Sequence, residues 1–172
     1  MAYLALDDPG KLTRADYARL AFVTARGDGT LPFSARHLRR FETEYCYDRY
    51  FEDTHREGWC TRIMCCGHAF VMTGDARSAF FTDPERGLLG QFRHQYFVLG
   101  LLAHFHKAAL LMMSDRLVSA IKRLDISEAA TVRRFRRDIR QTLEIFLRFT
   151  HRYWHHEISD QAQFRDVFHM LT

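Results

Sequence analysis

The 172-residue chain carries none of the short motifs that mark an active site. There is no Gly-x-Ser-x-Gly nucleophile elbow, no His-Glu-x-x-His pair and no Cys-x-x-Cys. Its one glycine-rich stretch, Arg26-Gly27-Asp28-Gly29, lacks the Gly-Lys-Ser/Thr ending of a phosphate loop and follows no buried strand. Cys65-Cys66-Gly67 lies in a strand-like pattern with no base placed by local spacing. A membrane-spanning run is missing as well. The best candidate, residues 97–113, is interrupted by His104, His106 and Lys107, whereas a span needs about 20 mostly apolar residues. The four cysteines (Cys46, Cys60, Cys65 and Cys66) follow no signal peptide, and two of them are adjacent. They read as reduced, buried thiols of a soluble cytoplasmic protein rather than as a disulfide framework. Internal repeats and low-complexity tracts are absent. The chain is therefore expected not to be an enzyme.

What is present is an ordinary globular balance, with 47% hydrophobic and 27% charged residues. Fifteen Phe, seven Tyr and two Trp predict an aromatic-rich core. The net charge of +4 is unevenly placed. Residues 1–83 hold 11 Lys/Arg against 12 Asp/Glu, and residues 84–172 hold 14 against 9. A basic second half suits phosphate, a membrane surface or an acidic partner.

The pattern divides the chain at residue 83. In residues 1–83, Thr13 with Asp16 forms a capping-box signal for a helix over 15–22, and Ser34 caps a second helix to about Tyr47. Residues 59–73 are rich in β-formers around Gly67, which predicts a hairpin or one bent strand. Two strands alone do not make a stable sheet. Their neighbours must be missing, lie in the first 12 residues, or come from another chain.

Beyond Asp83-Pro84, a cap followed by a first-turn proline, the period changes. Phe92, Tyr96, Leu99, Ala103, His106, Leu110, Met113, Leu117, Ala120 and Leu124 step by four and three, the spacing of a packed helix seam. Some 40 residues of helix would reach roughly 60 Å. After a break at Asp125-Ile126, Ser127 is placed to cap a second long helix through Val132, Phe135, Ile139, Thr142, Phe146, Phe149 and Tyr153. So short a link makes the pair antiparallel. Ser159 is then placed to cap a third helix with Phe164, Val167, Phe168 and Leu171 on one stripe. That pattern runs to the last residue with no Gly or Pro stop, as it would in a piece of a longer protein. The expected fold is α+β and mostly α: a small N-terminal α/β part (1–83) containing a strand pair, then a long antiparallel helical hairpin and the start of a third helix (84–172).

Two constellations are candidate sites. His151 and His155 stand at i and i+4 with Glu157 nearby, the spacing at which two imidazoles share a divalent cation. The same spacing also suits surface or hairpin-interface histidines. Arg133, Arg134, Arg136, Arg137 and Arg140 cover one side of the second long helix. Such a stripe contacts lipid headgroups or an acidic partner, with nucleic acid the least favoured. The more ordinary reading is a solvated face with Asp138 and Glu144 as local partners, Arg140 and Glu144 being i and i+4. His106, inside the apolar seam, reads as a hydrogen-bonded core histidine.

Three segments carry a resemblance: Gln91-Phe92-Arg93-His94-Gln95-Tyr96-Phe97, Ala103-His104-Phe105-His106-Lys107-Ala108-Ala109-Leu110, and Phe149-Thr150-His151-Arg152-Tyr153-Trp154-His155-His156-Glu157-Ile158-Ser159. Over residues 59–172 the layout resembles the cytoplasmic region of bacterial CorA-like divalent-cation (Mg2+) transport proteins. The resemblance implies an α/β domain, a pair of long antiparallel helices and a stalk helix from Ser159 that leads to membrane spans. It also implies a homo-oligomer on the cytoplasmic face of the inner membrane. The family's Gly-Met-Asn motif and its spans are not in this sequence, so no ion-binding residue is carried over. The alternatives are a stand-alone helical module that binds an acidic partner or nucleic acid through its arginines, and a small metalloenzyme using His151 and His155.

Overall fold

A computed structural model describes residues 1–22, 34–50, 60–67, 69–154 and 159–171. The loop read over residues 26–30, Trp59, His68, His155 and Glu157 lie outside them. The fold is mostly helical with a small mixed sheet, as the sequence predicts. The chain forms two compact units, Met1–Gly100 with Gln161–Thr172, and Leu101–Asp160.

In the first unit, strands β1 (Ala2–Leu6), β2 (Cys46–Tyr50), β3 (Thr61–Cys66) and β4 (Ala69–Asp75) form one sheet in the order β1-β4-β3-β2. β3 and β4 are the predicted hairpin, with Met64 opposite Val71 and Cys65 opposite Phe70. Their missing neighbours are supplied locally. β1 comes from the first 12 residues and runs parallel to β4, while β2 pairs antiparallel with β3. Helix α2 (Ala35–Tyr45) therefore stops short of the predicted Tyr47. Cys46 and Tyr47 pair with Met64 and Ile63 instead, because edge pairing outweighs continuation of the helical period.

Alternation along the strands explains how both sheet faces are covered. Met64 and Val71 meet Tyr17 and Ala21 of α1 (Arg14–Phe22) and Phe41 of α2, with Ala2 and Leu4 packed alongside. Thr13 and Asp16 make the capping box: the Thr13 amide donates to Asp16 Oδ2 at 3.2 Å and the Asp16 amide to Thr13 Oγ1 at 3.2 Å. Ser34 Oγ accepts from the His37 amide at the start of α2.

The other face is aromatic. Tyr3 stacks on Phe81 of α3 (Ala79–Thr82), with centroids 4.3 Å apart, and its hydroxyl donates to the Phe81 carbonyl. Phe70 packs against Phe92 and Tyr96, and Tyr96 against Phe164 of α7 (Ala162–Leu171). Such ring pairs each add about 1 kcal/mol beyond area burial. Phe92 and Tyr96 occupy a π-helical turn, Phe92–Tyr96, between α4 (Leu88–Gln91) and α5 (Phe97–Lys122).

The long helix begins at Leu88 rather than at Pro84. The Asp83 carboxylate does accept from the Glu85 and Arg86 amides, but it closes only a turn, and Gly87 restarts the backbone in an extended conformation. Helix α6 (Ala129–Arg152) follows Glu128, while Ser127 is engaged by Asp125 instead of capping.

Gly74 has no room for a side chain, since an added Cβ would lie 2.4 Å from the fully buried Phe81 ring. Gly74→Ala is expected to cost about 1–3 kcal/mol by overpacking. Gly67→Ala, in the β3–β4 turn with nothing within 4 Å, is expected to stay within about 0.5 kcal/mol of the parent. Urea unfolding midpoints of the two variants check both.

Candidate functional site: the polar network and the helical hairpin

Two constellations stand out, one in each unit. In the first unit, Arg62 on β3 is only 8% exposed. Its Nε and Nη2 donate to the two Asp48 oxygens on β2, each at 2.7 Å. The guanidinium lies 4.7 Å from the Tyr17 ring centroid, and Nη2 is 4.0 Å from Glu42 Oε1. Glu42 in turn accepts two bonds from Arg14, at 2.8 and 2.6 Å. One buried cation thus ties α1, α2, β2 and β3 together. Burial opposes the charge on Arg62, but the Asp48 hydrogen bonds outweigh it and hold the group firmly protonated. No periodicity points to this cluster, because its members come from four separate elements.

The nearby cysteines form no disulfide among the described residues. Burial pushes the Cys46 thiol up to about 12 and raises that of Cys65 as well. Cys66 Sγ donates to the Ala21 carbonyl at 3.1 Å. Environments that raise a thiol's pKa do not make it a nucleophile.

In the second unit, α5 from Leu101 onward pairs with α6. Phe105 meets Phe149 at one end, and Arg123 meets Asp138 (3.8 Å) near the connecting turn, so the helices are antiparallel. His106 is 3% exposed and sits in an aromatic box. Its ring stacks on Trp154 (4.9 Å, 13°) and stands edge-on to Phe149. Nε2 lies 2.9 Å from the Tyr153 carbonyl. A carbonyl only accepts, so Nε2 carries the proton and His106 satisfies a carbonyl at the C-terminal end of α6. The histidine read as a core residue is therefore also a cap.

The hairpin seam buries Ala103, His106, Met113 and Ala120 of α5 with Thr142 and Phe149 of α6. Leu110 and Leu117, predicted in the same seam, remain partly exposed. More telling is the surface the seam leaves open. Leu101, Ala108 and Met112 recur at steps of seven and four on a side of α5 turned away from the seam, all exposed, with Leu101 at 59%. Phe105, at the edge of that side, is half-exposed, and its ring also meets Phe149 and Tyr153. By length and composition, the continuous helix Leu88–Lys122 is apolar enough to cross a membrane, despite the polar residues at 104, 106 and 107. Helix α6 also exposes Leu143, Phe146 and Leu147.

The arginine stripe is solvent-facing throughout: Arg133, Arg134, Arg136, Arg137 and Arg140 are all exposed. Glu144, expected to pair with Arg140, binds Arg148 instead at 2.5 Å. Asp138 lies beside Arg123 and Arg137. His151 is exposed near the end of α6, and its proposed metal partner His155 lies outside the described residues. Among the described residues, no group of three or more His, Cys, Asp or Glu is placed to hold a metal ion.

Removing Arg62 strands Asp48 in a partly buried site, so Arg62→Met is expected to lower stability by about 3 kcal/mol in chemical denaturation. The Arg14 hydrogen bonds hold the Glu42 carboxyl below its ordinary 4.5. A depressed acid stabilises the fold above its unfolded pKa and loses that contribution as pH falls through its folded pKa. The parent should therefore unfold at a higher temperature than Glu42→Gln at pH 7, and the gap should close as the pH falls below 4.5. His106→Ala should change the fluorescence of Trp154 and cost about 1–3 kcal/mol, through the lost stack and the stranded Tyr153 carbonyl. Comparison of the chain with protein families, with curated proteins and with solved structures finds no match.

Proposed function

We propose that the chain is a cytoplasmic portion of a CorA-like metal-ion transport protein, serving assembly and regulation rather than catalysis. The observation that carries the reading is the uncovered apolar stripe of α5 at Leu101, Ala108 and Met112, with half-exposed Phe105 at its edge. A helix apolar on two sides is built to be buried on both, and α6 covers only one of them. In this reading a second copy covers the other, as a homo-oligomer at the cytoplasmic face of the inner membrane. The order of parts supports the family assignment: a small mixed sheet, a long antiparallel hairpin and then a further helix, α7.

Two tests separate the parts of the proposal. The family assignment expects the reading frame beyond Thr172 to encode two apolar spans, with Gly-Met-Asn after the first. A stop codon directly after Thr172 contradicts it. The assembly role expects an oligomer by light scattering, converted to monomer by Leu101→Ser/Met112→Ser with an unchanged far-UV circular dichroism spectrum. A parent chain that stays monomeric across a concentration series overturns it.

A further inference from the structure

The arginines of α6 do not stand alone. Arg133, Arg136, Arg140, Leu143 and Leu147 follow one another at steps of three, four, three and four residues. That stepping places all five on one strip of the helix, about 21 Å long at 1.5 Å per residue. Each of the five is exposed, with Leu143 at 53% and Leu147 at 47%. The strip is separate from the face of α6 that meets α5, where Thr142 and Phe149 are buried. Among the described residues, Arg133, Arg136 and Arg140 have no carboxylate within 4.0 Å, because Glu144 is taken by Arg148 and Asp138 faces Arg123 and Arg137. The strip is thus a second helical seam, basic over its first half and apolar over its second.

We propose that this strip docks an acidic amphipathic helix of a partner protein. The partner would set carboxylates against Arg133, Arg136 and Arg140, and apolar side chains against Leu143 and Leu147. Three-and-four stepping is the spacing at which one helix packs along another. Guanidinium groups pair with carboxylates through two parallel hydrogen bonds, which fixes register as well as charge. The order of residues along the axis argues against a membrane surface. A helix lying in a lipid interface separates its basic and apolar sides around its axis along its whole length, whereas here they succeed one another on a single side. It also argues against nucleic acid, since two leucines in the strip would face phosphates and no aromatic ring there offers a base a stacking platform. This surface lies on α6 and does not depend on the α5 stripe or on the transport reading.

The test uses the full chain and a labelled synthetic helical peptide. The peptide carries Glu at three successive seam positions and Leu at the next two, in both chain directions, and binding is followed by fluorescence anisotropy. All five positions are exposed, so Arg133→Glu/Arg136→Glu/Arg140→Glu and Leu143→Ser/Leu147→Ser should keep the parent's circular dichroism spectrum. The expected result is saturable binding in one chain direction, weakened at least about tenfold by each variant, the scale of losing close charge pairs or buried apolar contacts. A peptide with Lys in place of Glu should regain binding to the arginine-reversed variant. The proposal is overturned if the peptide does not bind, or binds equally well with its leucines replaced by Ser. It is also overturned if anionic phosphatidylglycerol vesicles or a short DNA duplex bind in an arginine-dependent way while the peptide does not. A change in the oligomeric state of the chain caused by the same variants would assign the strip to a second copy and likewise overturn it.

Discussion

One constraint governs the second unit: α5 carries more apolar surface than a single neighbouring helix can cover. Water penalises each exposed leucine or phenylalanine, and burying one fully is worth about 1.5–3 kcal/mol. The seam with α6 accounts for Ala103, His106, Met113 and Ala120. Leu101 and Met112, on a side turned away from the seam, stay exposed among the described residues, and Phe105 is only half covered by Phe149 and Tyr153. A two-helix unit has only one inner face, so packing α5 better against α6 would not relieve this.

The first unit shows the opposite condition. Its sheet is covered on both faces, by α1 and α2 on one side and by the aromatic set of Phe81, Phe92, Tyr96 and Phe164 on the other. Its buried charge is paired: Arg62 has Asp48 at hydrogen-bond distance, with Glu42 beside it. Gly74 lets β4 run directly beneath the Phe81 ring. The first unit thus has a sheet covered on both faces, although Phe80, Phe97 and Val98 remain exposed at its surface.

The parts legible in the sequence are those governed by local physics. The capping box at Thr13 and Asp16, the Ser34 cap, the β3–β4 hairpin about Gly67 and the helical stepping from Phe92 to Ala120 all rest on spacing within one element. Partners distant in sequence were not legible. β2 could not be distinguished from the end of α2, because Cys46 and Tyr47 become strand only through pairing with Met64 and Ile63. Asp83 gave a sound cap signal, yet it closed only one turn before Gly87. The Arg14–Glu42–Arg62–Asp48 network draws on four elements and leaves no period to find. On α6, residue types suggested that Glu144 would neutralise Arg140, and only side-chain placement shows it held by Arg148 instead.

The exposed apolar side of α5 is the observation behind the proposal that this chain works by association, and a transport assembly is one setting in which paired long helices serve that end. The central claim is that the outer side of α5 is covered when the protein is at work. Hydroxyl-radical footprinting of Phe105 and Met112 at low and high protein concentration tests it most directly. The account predicts rapid labelling of both residues when dilute and strong protection when concentrated, with Met113, in the buried seam, protected throughout. Equal labelling of Phe105 and Met112 at every concentration would contradict it.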